Sequence, residues 1–188
     1  MYREIAANKR KTVLLMFTFF VLIGLISFAA AMYFKDYFIT VFAIIFALGY
    51  ALWGYFASDK TALAMNNAKQ IEKSDNPRLW RIVENLSITT GLPMPAVYII
   101  DDPALNAFAT GRDPNHASVA VTTGLLDILD DKELQGVMAH ELGHIQNYDI
   151  RLTMIAFGLV AAISILSDFI MRSLFWGSFG NKSENSSP

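Results

Sequence analysis

The sequence predicts an α+β membrane protein, in which transmembrane helices carry one small aqueous domain made of helices and a short sheet. Three observations lead there. Of 188 residues, 54% are hydrophobic and only 17% charged, whereas roughly a quarter of residues carry charge in an ordinary soluble domain. Two long uncharged stretches occupy residues 13–34 and 37–58. Between the second of these and a third apolar stretch at 152–180, residues 59–151 hold 8 basic and 13 acidic residues, a net charge of −5. The whole chain, with 15 basic and 17 acidic residues, has no basic excess to hold phosphate backbones, which argues against a nucleic-acid partner. It has no cysteine, so disulfide frameworks, cysteine zinc modules and thiol nucleophiles are excluded. Any metal falls to histidine and carboxylate ligands.

Each of the first two stretches runs 22 residues without a charge, and about 20 apolar residues cross the hydrocarbon core. Only Lys35 and Asp36 separate them, so the two spans form a hairpin. A cleaved signal peptide is the alternative for the first, but its apolar run exceeds the usual stretch of about 7–15 residues and no small-residue cleavage site precedes the next span. Arg3, Lys9, Arg10 and Lys11 precede the first span, which predicts a cytoplasmic N-terminus and, after two crossings, a cytoplasmic aqueous domain. Within residues 60–90, Ile71, Leu79, Ile82, Val83 and Leu86 fall at helical spacing with a break near Asp75, Asn76 and Pro77, predicting two helices. Gly91, Pro93 and Pro95 end them. Residues 96–100 and 117–121 read as strands, the second running into Thr122, Thr123 and Gly124, with residues 106–111 a third candidate between them. Asp130 followed by Glu133 makes a capping box for a helix reaching to about residue 148. The stretch 152–180 contains Asp168 and Arg172, four apart in the order that favours an intrahelical pair. It reads as a third membrane span, the alternative being a buried helix of the aqueous domain, and the polar tail 181–188 reads as disordered.

The capped helix carries His140, Glu141, Leu142, Gly143 and His144, the H-E-x-x-H pattern. Histidines four apart lie one turn above each other on one helix face, so both imidazoles reach one metal at about 2.0–2.1 Å. Glu141 is rotated by about one hundred degrees from His140, which suits a general base beside the metal rather than a ligand. The chain has 3 His in 188 residues, and chance alone gives the motif only about once or twice in a thousand such chains. Gly143 costs about 1 kcal/mol of helix stability relative to alanine, which calls for a packing or access reason such as a facing strand or substrate. His116, the only other histidine, lies in the polar turn Asp113, Pro114, Asn115, His116. It reads as a surface residue, with a third-ligand role as the alternative.

At this point the chain resembles the HtpX-type membrane zinc metalloproteases, related to the CAAX prenyl proteases. The likeness rests on the N-terminal hairpin, LNAFATG at residues 105–111, VAVTTGLL at 119–126, the H-E-x-x-H helix, Asp149 shortly beyond it and the apolar stretch that follows. The resemblance implies a zincin-like fold, zinc as cofactor on His140 and His144, Glu141 as catalytic base, and a multi-pass protein of the inner (plasma) membrane with its site facing the cytoplasm. It implies polypeptide substrates, misfolded or damaged membrane proteins, and so a part in stress response and protein quality control. It also puts Asn106, Ala107 and Phe108 beside a cleft where an extended peptide can pair with a strand edge. The other reading of that segment is a core strand with Phe108 buried.

Asp149 stands nine residues past His140; about nine hundred degrees of regular helix puts it on the opposite face, as a structural residue near the site, with a role behind a metal ligand as the alternative. A catalytic zinc of this class takes three protein ligands, and the resemblance places the third, a glutamate, on a later helix after a fourth span. Glu184 lies across the membrane from His140 if the third stretch spans it, and Asp168 is 24 residues from His144, about 36 Å of helix. The expectation is therefore the N-terminal part of a membrane zinc endopeptidase, inactive without the later ligand. The alternative function is a catalytically incomplete membrane protein that binds polypeptide or a partner subunit. A transporter or channel is weakened because the histidines sit outside the spans.

Overall fold

The structure, a computed structural model, describes residues 2–35 and 37–180. Two long helices, α1 (Tyr2–Phe34) and α2 (Phe38–Met65), pack against each other around a turn at Lys35, whose φ is 55°; Asp36 lies outside the described residues. Helix α1 starts far ahead of residue 13 because propagation of a helix already begun costs little, even through polar residues. Among the described residues, the stretch Ile5–Tyr33 is long and apolar enough to cross a membrane by length and composition.

Helix α2 runs past residue 58, which corrects the first of the two helices predicted within residues 60–90. That segment is the end of α2, followed by the short strand β1 (Lys69–Gln70) and a turn. Asp59 and Lys60 do not interrupt a helix in progress. It stops where Asn67 takes φ 49°, a left-handed conformation that asparagine tolerates better than most residues. The second predicted helix is α3 (Pro77–Thr90). Pro77 stands at its first turn, the Asn76 side chain accepts the Leu79 N–H at 3.0 Å, and Gly91 ends it at φ 69°, a start and stop each suited to its residue.

The three predicted strands are β2 (Ala96–Ile100), β3 (Ala107–Asp113) and β4 (His116–Thr122). The sheet order is β1-β2-β4-β3, with β2 and β4 parallel and the other pairs antiparallel. A short helix not anticipated from the sequence, α4 (Thr123–Ile128), leads to α5 (Asp131–Gln146). The capping box is present: Asp130 Oδ1 accepts the Lys132 and Glu133 N–H groups at 2.8 and 2.9 Å, and Glu133 Oε2 accepts the Asp130 N–H at 2.9 Å. The last helix, α6 (Asp149–Gly180), leaves α5 at 75° and carries the Arg172–Asp168 pair at 2.8 Å.

Alternation along the strands sorts the packing into two faces. Val97, Val119 and Val121 meet Leu79 and Val83 of α3 and Leu134, Met138, Leu142 and Ile145 of α5. Ala120, Ile100 and Phe108 point the other way, toward Leu63 at the end of α2. Full burial of each large aliphatic side chain contributes about 1.5–3 kcal/mol, so the sheet and α3 hold α5 firmly. A separate core joins the long helices, with Phe19 and Ile23 of α1, Ala47 of α2, and Ile155 and Leu159 of α6. On their outer sides Val13, Leu14, Phe17, Leu25, Ile45 and Leu52 are exposed.

Candidate metal centre and active site

Helix α5 buries Leu134, Met138, Leu142 and Ile145, a stripe at helical spacing that turns His140 and His144 away from the core. Their rings meet edge to face with centroids 4.6 Å apart, and the two Nε2 atoms approach to 3.1 Å. Two bonds of about 2.0–2.1 Å at a tetrahedral angle would separate the nitrogens by roughly 3.3 Å, so the pair fits one zinc ion. The second nitrogen of His144 supports the same reading. His144 Nδ1 lies 3.1 Å from Asp149 Oδ2. A carboxylate only accepts, which assigns the neutral ring's proton to Nδ1 and leaves the Nε2 lone pair facing His140. A carboxylate behind a histidine ligand is the usual way of setting its tautomer and orientation.

That contact corrects the opposite-face placement of Asp149, which assumed a regular helix. The helix ends at Gln146, Tyr148 takes φ 62°, and the chain leaves at 75°, swinging Asp149 back under His144. Two residues far earlier complete the junction. The Asn8 amide donates to Asp149 Oδ1 at 2.5 Å and to the Asn147 carbonyl at 3.0 Å, and the Lys9 ammonium stands 4.5 Å from the centre of the Tyr148 ring. Asn8 is 7% exposed. The sequence signal for it is weak: an uncharged polar residue at the foot of an apolar helix.

Glu141 follows His140 and is partly exposed. Gly143 is open where a side chain would project, so no facing strand requires the glycine. His116 is not a ligand. It lies at the β3–β4 turn with Nδ1 2.9 Å from Asp113 Oδ1. Burial would raise the Asp113 pKa, but hydrogen bonds from His116 and from the Asn115 and His116 N–H groups outweigh it and hold the carboxyl below its ordinary value. Among the described residues no group of three His, Asp or Glu side chains could hold a metal. Asp168 is occupied with Arg172 far along α6, and Glu184 lies outside the described residues.

Strand β3 forms one edge of the sheet and lies against α5. Asn106 is exposed just before it, Ala107 packs on the α5 side, and Phe108 is half-buried on the α2 side against Ala120. The two motifs lock together. The Thr122 hydroxyl donates to the Ala104 carbonyl at 2.6 Å and accepts the Asn106 N–H at 3.0 Å. The Thr123 hydroxyl donates to the Asp102 carbonyl at 3.0 Å and accepts the Asp102 N–H at 3.1 Å. Gly124 and Gly111 are required by close approach: a Cβ at Gly124 would overlap the Pro103 carbonyl, and one at Gly111, whose φ is 136°, would overlap the His116 carbonyl.

Comparison with known proteins places the chain in a family. The sequence model of Peptidase family M48 matches residues 73–185. A protein named Protease HtpX homolog from Tropheryma whipplei (strain Twist) is 56% identical over 177 residues, covering 94% of this chain and 60% of the relative. The proteins of that name from Listeria innocua and Ligilactobacillus salivarius are each 46% identical, over 181 and 179 residues, covering 95% and 94% of this chain and 60% and 61% of the relatives. This chain thus spans about 60% of the length of the curated relatives it matches. The crystal structure of S. mikatae Ste24p is 20% identical with a TM-score of 0.47, over 91% of this chain and 40% of that one. With the family model covering more than half of its residues, the chain belongs to Peptidase family M48.

Proposed function

We propose that this chain carries the ligand-bearing part of a membrane-anchored zinc endopeptidase, in which His140 and His144 hold the metal and Glu141 is the catalytic base. The observation that carries the reading is the convergence of the two Nε2 atoms to 3.1 Å with His144 Nδ1 held by Asp149. Zinc, when bound, supplies the Lewis acidity that polarises a peptide carbonyl and makes water a nucleophile near neutral pH. Glu141 takes the proton from the attacking water and returns it to the leaving amine. The outer edge of β3 at Asn106, Ala107 and Phe108 offers backbone N–H and C=O groups to an extended polypeptide, which suits substrates chosen by accessibility rather than by sequence. Misfolded membrane proteins are such substrates. A third ligand comes from outside the described residues.

The membrane reading rests on the apolar stretch Ile5–Tyr33 and the exposed large side chains of α1 and α2, with the apolar stretch of α6 as a further span. Asn8 and Lys9 touch the α5–α6 junction, so the metal centre lies on the same side as the basic cluster Arg3, Lys9, Arg10 and Lys11. Positive residues flanking a span stay inside, which supports a site facing the cytoplasm at the inner (plasma) membrane. The test is a set of three variants in the protein that also carries the third ligand: His140→Ala and His144→Ala lose zinc, whereas Glu141→Gln keeps zinc and loses about 10²–10⁴-fold or more in peptide cleavage. Cleavage by Glu141→Gln near the parent rate overturns the assignment. A second reading, polypeptide binding without cleavage, is favoured by the absence of a third ligand among the described residues. Captured but uncut polypeptide even when the chain is joined to a later glutamate-bearing segment would support it.

A further inference from the structure

We propose that Asn8, at the foot of α1, is a positioning residue of the metal centre, acting through Asp149 on His144. The inference deepens the zinc reading above and rests on it. The relay is continuous: Asn8 Nδ2 donates to Asp149 Oδ1 at 2.5 Å, Asp149 Oδ2 lies 3.1 Å from His144 Nδ1, and His144 Nε2 lies 3.1 Å from His140 Nε2. Each oxygen of the Asp149 carboxylate therefore has its own partner. The second amide hydrogen of Asn8 goes to the Asn147 carbonyl at 3.0 Å, so both donors are used and the amide cannot rotate without breaking a bond.

The need for such a residue comes from the break between α5 and α6. Asp149 begins a new helix after a left-handed Tyr148, and its side chain is 37% exposed. A carboxylate there is free to turn toward water unless something fixes its second oxygen. Asn8 does this from a buried position, one turn before Thr12, a residue 1% exposed whose hydroxyl donates to the Asn8 carbonyl at 2.9 Å within the same helix. The orientation of a metal ligand thus depends on the seating of a predominantly apolar helix against α6. Partners behind a ligand change metal affinity by about 10–100-fold when removed; Asn8 stands one step further back, so a loss of about tenfold is expected.

Two features separate positioning from simple docking of α1. Lys9→Ala removes the Tyr148 contact between the same elements without touching Asp149. Asn8→Asp keeps the side chain's shape and removes the donor. Zinc affinity is read by competition with a chromophoric chelator on the purified protein in lipid nanodiscs, with melting temperature monitored in parallel. The proposal expects about tenfold weaker zinc in Asn8→Ala and at least that in Asn8→Asp, with Lys9→Ala within about twofold of the parent. It also expects non-additivity: in an Asp149→Asn background the Asn8→Ala change alters affinity less than about twofold, because the relay is already cut. Nitrogen shifts of ¹⁵N-labelled histidine in the metal-free protein give a second readout, with His144 moving away from the Nδ1–H tautomer in Asn8→Ala. Additive losses, or equal losses in Lys9→Ala and Asn8→Ala, overturn the proposal. If His144→Ala leaves zinc binding intact, the metal assignment itself has failed, an outcome distinct from failure of the relay.

Discussion

Replacing Thr122 by valine tests whether the edge strand and the metal centre are separate parts of one site. Valine matches threonine in shape, so the change removes a hydroxyl and little else. That hydroxyl, in a residue 3% exposed, donates to the Ala104 carbonyl at 2.6 Å and accepts the Asn106 N–H at 3.0 Å, while the backbone bond from Thr122 N–H to the Asn106 carbonyl at 3.0 Å survives. A buried polar group left without a partner costs about 1–3 kcal/mol. Residues 104 and 106 are exposed, so water recovers part of this, and the expected loss is about 1–2 kcal/mol. For a chain of this size that lowers the melting temperature by about 2–8 °C. The strand entry at Asn106 loosens, and in the protein that also carries the third ligand the KM for peptide substrates rises severalfold. Zinc affinity stays within about twofold, because Thr122 belongs to β4 and touches neither His140 nor His144. Thermal unfolding, peptide hydrolysis and chelator competition on one preparation measure all three. Loss of zinc in step with the rise in KM would refute the separation, and an unchanged melting temperature would refute the clamp.

Further outcomes follow from other contacts. Arg78 bridges α3 to the segment leading into α5, donating to the Leu126 and Leu129 carbonyls at 2.9 and 2.5 Å and to Asp131 Oδ1 at 2.6 Å; Arg78→Ala is expected to cost about 2–3 kcal/mol by denaturant titration, and Arg78→Lys to restore little, since one ammonium cannot fork to two carbonyls. The carboxyl of Asp113 is held below its ordinary value of 3.8, so its contribution is present above that pH and is lost as the pH falls through the lower folded-state value. Hydrogen exchange at the Asn115 and His116 amides should therefore lose protection only below pH 3.8, and Asp113→Asn should abolish that pH dependence; retention of it would assign it to another group. Single cysteines at Ser74 and Lys132 should be shielded from an impermeant thiol reagent in intact cells, and labelling of either would reverse the orientation.

The parts of the site legible in the sequence are those set by local geometry. His140 and His144 share a face because four residues make slightly more than one turn, and the Asp130–Glu133 capping box lies within a single turn. Strands β2 and β4 and the approximate place of β3 follow from short runs of apolar and β-branched residues bounded by turn residues. The same local reasoning failed at Asp149, because it carried a regular helix through Tyr148. It also failed at residues 66–75, where apolar spacing alone does not mark where α2 ends.

Tertiary structure decided what the histidines meet. The 75° departure of α6 brings Asp149 to His144, and packing of α1 along α6 brings Asn8 to Asp149 from 141 positions away. Nothing in the spacing of those residues encodes either approach. The histidine pair was determined by the sequence itself, since helical periodicity is a property of a few consecutive residues. Its orientation was not, because a hydrogen bond between distant segments exists only once buried apolar surface has set the helices side by side.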